Sequence, residues 1–114
     1  MNAKLTSRQV GEVTVIDLSG RITLGEGSGM LRDELRNLIG TNRRKILINL
    51  ADVTYMDTSG IGQLVAGYTT VSNQGGHLKL LNLTKKVKDV LQITKICTLF
   101  ETFDDEKQAL VTFN

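Results

Sequence analysis

Proline is absent from the 114 residues, and cysteine and histidine occur once each. A lone Cys97 excludes an internal disulfide, and Cys97 with His77 cannot make up a zinc-ligand set, so no metal or other cofactor is expected. Cys97 is expected to be a packed apolar thiol, and His77, next to Gly76, a strand-edge or turn residue. No apolar run approaches the ~20 residues that span a bilayer, and the amino-terminal MNAKLTSRQV lacks the apolar stretch of a signal peptide. The chain therefore reads as cytoplasmic, without membrane insertion. Charge of one sign is also scarce: 14 Lys and Arg against 12 Asp and Glu leave +2, and the basic residues are dispersed. Nothing in that balance calls for nucleic acid as a partner. Linker composition, repeats and low-complexity tracts are missing too, so a single domain over residues 1–114 is expected. At 40% hydrophobic content it is large enough to bury a core without staples.

What is present is an alternation of strand and helix patterns. KLTSRQV and VTVIDL flank Gly11-Glu12 and predict an antiparallel hairpin. GRITLGEGSG reads as a Gly-rich loop, followed by Leu31, Leu35 and Leu38 at helical spacing, with Ser28 as a cap and Gly40 as a stop. KILINL, almost continuously apolar, predicts a strand covered on both faces. Ile61, Leu64, Val65, Tyr68 and Val71 then mark a helical stripe that ends before Gly75-Gly76, and HLKLLNL supplies another strand. Thr84 is placed to cap a helix carrying Val87, Val90 and Leu91, and Asp104 to cap a last short one, with a short strand between them. The order predicts an α/β fold, a single mixed sheet with parallel crossovers and helices packed against it.

The chemistry concentrates in MDTSGIG, Met56 to Gly62. Asp-Thr followed by Gly suggests an aspartic protease, but here Ser59 intervenes and a periodic helix follows where that fold has strands. A hydrolase nucleophile at Ser59 needs a base and a Gly-x-Ser-x-Gly elbow, and neither is evident. The third reading is a strand-to-helix turn whose hydroxyls stand at a helix amino terminus, where unpaired N–H groups favour a side-chain oxygen or a phosphate. In its plain form this is a cap contributing about 1 kcal/mol. Gly60 and Gly62 argue for more, because each costs about 1 kcal/mol relative to alanine in a helix. On a helical wheel Gly60 and Gly67 share a side with Gln63 and Thr70, which leaves a shallow docking face. GEGSG, Gly25 to Gly29, lacks the lysine and spacing of a P-loop and is a weak anion-cradle signal; loop flexibility is the plainer account.

INLADVTYMDTSGIGQLVAGY, followed by NQGGHLKLLNLTKKVKDVLQITKICTLFETFDDEKQAL, resembles the STAS-domain family of anti-sigma factor antagonists across nearly the whole chain. That family's motif is Asp-[Ser/Thr]-[Ser/Thr]-Gly-[Leu/Ile]-Gly at the start of a helix. The resemblance implies that Ser59 is a phosphorylation site, with Thr58 as second choice and Asp57 as the acidic neighbour. It implies a binding surface of Asp57, Thr58, Ser59, Gly60, Gly62 and Gln63. The partner it implies is an anti-sigma factor that is also a serine kinase of ATPase fold, which brings its own ATP and magnesium, and a phosphatase that reverses the modification. One position departs: where the family commonly has a loop aspartate, Gly20-Arg21-Ile22 leads into Thr23. Either Glu26 compensates from the Gly-rich loop, or the partner differs. Two expectations of function follow: a phosphorylation-switched, non-enzymatic binding module that releases a sigma factor, or an unswitched STAS adaptor in a signalling scaffold or transporter complex.

Overall fold

The fold, taken from a computed structural model that describes residues 2–114, is built on one five-stranded sheet in the order β1-β2-β3-β4-β5. β1 (Lys4–Val10) runs antiparallel to β2 (Val13–Ile22), and Val10 pairs with Val13 across the two-residue turn. Gly11 takes φ 60 there, the left-handed conformation that lets so short a turn follow the sheet twist. β3 (Lys45–Met56), β4 (His77–Leu81) and β5 (Thr102–Phe103) add in parallel. The crossovers are α1 (Glu26–Gly40), α2 (Thr58–Asn73) and α3 (Lys85–Ile93), and α4 (Glu106–Val111) closes the chain. The expected mixed α/β sheet is therefore the one observed.

Alternation along the central strands sends side chains to two cores. Ile16, Leu18, Ile46, Ile48, Leu50, Leu78 and Leu80 meet Leu31, Leu35 and Leu38 of α1, Ile61 and Leu64 of α2, and Val87 and Leu91 of α3. On the opposite face Val13, Val15, Leu47 and Leu81 meet Ala109 and Phe113 in and beyond α4. Burial on both faces is why KILINL shows no polar alternation until Asn49. Beyond α4 that second face turns polar. Arg8 donates to Asp17 at 2.7 Å and to Glu106 at 2.5 Å, Asn49 donates to Asp17 at 2.9 Å, and Asn82 donates to Asn49 at 3.2 Å. Lys79, though buried, donates to the Thr112 carbonyl at 3.1 Å and hydroxyl at 2.9 Å and lies 4.8 Å from the centre of the Phe113 ring.

Several local expectations are corrected. β2 runs on through Gly20-Arg21-Ile22, and the helix starts at Glu26, so the Gly-rich loop shrinks to Thr23, Leu24 and Gly25. Gly25, at φ 102, is the N-cap; Ser28 is buried in the first turn, its N–H bonded to the Thr23 carbonyl. GEGSG is thus mostly helix. Gly27 is there because a Cβ would stand 2.6 Å from the Arg21 carbonyl oxygen, so flexibility is not its reason. Gly40 is the last helical residue and Thr41 the cap. Asp105, not Asp104, caps α4, donated to by the Lys107 N–H at 2.8 Å. Cys97 is exposed rather than packed.

The hydrogen bonds from Arg8 hold the Asp17 and Glu106 carboxyls below the usual carboxylate range. Carboxyls with depressed folded-state values add stability that is present above their unfolded values near pH 4 and lost as pH falls below them. Both are about a third exposed, so the contribution is about 1 kcal/mol or less. Arg8→Met is expected to lower stability by about that much at pH 7 and by much less at pH 3; urea unfolding at the two pH values checks it.

Candidate functional site

Parallel pairing of β2 with β3 sets Ile22 beside Met56 at the carboxyl ends of both strands. Their exits, Thr23–Gly25 and Asp57, therefore open on the same edge of the sheet, and the Asp57 N–H donates to the Ile22 carbonyl at 3.3 Å. Asp57 is extended (φ −95, ψ −175), and its side chain turns back to cap α2. Oδ1 accepts from the N–H groups of Ser59 at 3.0 Å and Gly60 at 3.2 Å and from the Ser59 hydroxyl at 2.5 Å. Oδ2 accepts from the Leu24 N–H at 3.1 Å. Partial burial pushes the Asp57 carboxyl up, but the Ser59 hydroxyl and the three N–H groups outweigh it and hold the group below its ordinary value. It is a carboxylate at neutral pH.

Thr58, the first residue of α2, is exposed, and Ser59, the second, is half-buried with its oxygen held by Asp57. Gly62 is exposed with open space above it, and Gln63 is half-buried. Gln63 and Thr70 line a shallow groove of about 190 Å³ between α1 and α2, facing Arg32 and Arg36. Thr23 and Glu26 stand beside the same edge; Glu26 is exposed in the first turn of α1, not in a loop.

Gly60 does not belong to the open surface. It is buried, and a Cβ there would meet Met56 Cγ at 2.7 Å and the Ile22 carbonyl oxygen at 2.8 Å. Gly67 forms part of the groove, but a Cβ there would meet Leu35 Cδ1 at 2.8 Å, so its smallness serves the packing of α1 on α2. Both glycines of the expected docking face, Gly60 and Gly67, thus pack inward, while Gly62 faces out.

Leu24, missed in the sequence, is 82% exposed on the same edge. Tyr55 is exposed as well and carries the Arg21 guanidinium 4.8 Å from its ring centre. The signal for Leu24 was an apolar residue with no periodic partner, placed just before Gly25. Among the described residues no three His, Cys, Asp or Glu side chains gather as a metal-ligand set, and no helix is long and apolar enough to cross a membrane.

A five-stranded mixed sheet with an Asp-capped Thr-Ser-Gly turn at the start of the second helix is the architecture of a STAS domain. The STAS domain model matches residues 4–109, and the chain belongs to that family. It is 32% identical over 94 residues to the anti-sigma-B factor antagonist of Bacillus subtilis, covering 82% of this chain and 84% of that one. In fold it is similar to an anti-sigma factor antagonist from Mycobacterium paratuberculosis, with TM-score 0.87 and 15% identity over 98% of this chain and 94% of that one. It is similar as well to the Bacillus cell fate determinant SpoIIAA in its phosphorylated form, with TM-score 0.78 and 20% identity over 97% of this chain and all of that one. At those identities the two structures show the fold alone.

The two glycines of the first turn are expected to separate on substitution. Gly62→Ala, into open space, should stabilise the protein by about 0.5–1 kcal/mol. Gly60→Ala should destabilise it by about 1–3 kcal/mol through overpacking on Ile22 and Met56. Denaturant midpoints of the two variants check the opposite signs.

Proposed function

We propose that this protein is an anti-sigma factor antagonist switched by phosphorylation of Ser59. Unmodified, it binds an anti-sigma factor that is also a serine kinase, through the edge formed by Asp57, Thr58, Ser59, Gly62 and Gln63 with Thr23 and Glu26, and so frees a sigma factor. The kinase transfers the γ-phosphoryl group of its ATP to Ser59 Oγ: the new P–O bond forms as the bond to the ADP oxygen breaks, and the hydroxyl proton leaves to a base of the kinase. Magnesium and nucleotide belong to the partner. A phosphatase returns the hydroxyl by hydrolysis.

One observation carries the reading: the Ser59 hydroxyl is fixed by Asp57 at the start of a helix whose open side carries no charge. None of the 16 residues of α2 is Asp, Glu, Lys or Arg, although Thr58, Gly62, Ala66, Thr69 and Thr70 are exposed. Interface centres are depleted in charge in just this way, whereas a helix facing only water usually carries it. Exposed Leu24 adds apolar area at the same edge. The name of the Bacillus subtilis relative supports the assignment by kinship. Thr23 stands at the loop edge without a carboxylate, so negative charge for the kinase there comes from Glu26, one turn of chain further on.

A phosphate adds about −1.5 to −2 charge, and burying it in an interface without matched cations costs several kcal/mol. Since ~1.4 kcal/mol is tenfold in affinity, a cost of ~3 kcal/mol weakens binding more than a hundredfold. Titration calorimetry against the anti-sigma factor of the source organism is expected to show Ser59→Ala binding like wild type and Ser59→Asp at least tenfold weaker, with both variants folded by circular dichroism. Equal affinity of Ser59→Asp and wild type would remove the switch.

A further inference from the structure

The Asp57 carboxylate is shared between two elements. Oδ1 serves the start of α2, and Oδ2 serves the Leu24 N–H in the three-residue connection between β2 and α1. The residues on either side of Leu24 are held within their own segment: the Thr23 carbonyl accepts from Ser28 N–H at 3.0 Å and the Gly25 carbonyl from Gly29 N–H at 3.0 Å. Asp57 is what ties Leu24 itself to α2. We infer that Asp57 is a positioning residue that relays the state of Ser59 to Leu24, so that phosphorylation unfastens the β2–α1 connection and with it the exposed apolar side chain of the docking edge.

The relay follows from hydrogen-bond inventory and charge. Once esterified, Ser59 Oγ carries no proton, so its bond to Asp57 Oδ1 is lost on modification. The phosphate then stands as an anion against the carboxylate that had accepted that bond at 2.5 Å. It also competes for the Ser59 and Gly60 N–H groups, the natural anion-binding donors of a helix amino terminus. Both effects drive Oδ1 away from α2, and because the two oxygens share one carbon, displacing Oδ1 draws Oδ2 off the Leu24 N–H that it meets at 3.1 Å. Leu24 is 82% exposed, so no packing replaces the lost bond.

This inference rests on Ser59 being the modified residue, but its test needs no partner. Protein carrying phosphoserine at position 59, installed during translation, is compared with wild type and Ser59→Ala by amide hydrogen exchange read by NMR. The Leu24 amide is expected to exchange at least tenfold faster in the phosphorylated chain, with the Ile48 amide of β3 unchanged and Leu24 in Ser59→Ala within threefold of wild type. Unchanged Leu24 protection in the phosphorylated chain overturns the relay. Equal loss in Ser59→Ala overturns it as well, because the missing hydroxyl rather than the added anion would then be the cause. Failure of the switch itself shows separately, as undiminished binding of Ser59→Asp to the anti-sigma factor.

Discussion

The parallel register that sets Ile22 beside Met56 is the constraint on which the site depends. Two strands end together, so the short connection after one and the helix start after the other meet over the same edge. A single carboxylate then joins them. The bulges in β2–β3 pairing, between Asp17 and Ser19 and between Gly20 and Arg21, lie just before that edge. Irregular pairing there re-aims the strand without disturbing the regular ladder from Thr14 to Asp17, beneath the main core. Scaffold and site are built from the same two strands but at opposite degrees of regularity.

Glycine has two opposite uses within a single helix. Gly60 and Gly67 let α2 sit closely on Ile22, Met56 and Leu35, which sets the depth at which the start of α2 lies on the sheet. Gly62 touches nothing and leaves the outer surface flat beside Thr58. The first use accounts for the helix-propensity penalty by packing, and the second leaves a penalty that the folded chain alone does not explain. That residual cost, in the turn that presents the hydroxyls, is consistent with close approach by another molecule.

Most of the architecture was legible because the apolar patterns were long and unambiguous: KILINL, the Leu31-Leu35-Leu38 stripe and the stripe of α2 all form the elements they predict. Boundaries were less legible. GRI reads as loop beside so many glycines, yet Ile22 is wholly buried and Gly27 is demanded by contact with the Arg21 carbonyl, a tertiary reason that local propensity does not contain. Ser28 lost its expected role as a cap because α1 starts earlier, with Gly25 at a φ only glycine adopts readily. At the site the aspartate, the two hydroxyls and their helix were readable from the motif, whereas the bond from Leu24 to Asp57 joins residues 33 apart. Nothing in local spacing predicts it; only the register of β2 against β3 creates it.

A small change at this edge has unequal consequences for folding and for binding. Loss of the Asp57 cap removes about 1 kcal/mol, set against a stability of about 5–15 kcal/mol for a domain of this kind. The main core, centred on Ile48, Leu50, Leu64 and Leu80, lies away from the exposed side of α2 and does not depend on that carboxylate. Folding therefore tolerates the change. An interface has no such reserve, because its affinity is the small surplus left after the costs of association, and each ~1.4 kcal/mol lost there is a factor of ten. Under the proposed switch, a hydroxyl held at a half-buried cap, outside the core, is where one added anion would act on association while the fold stays as it was.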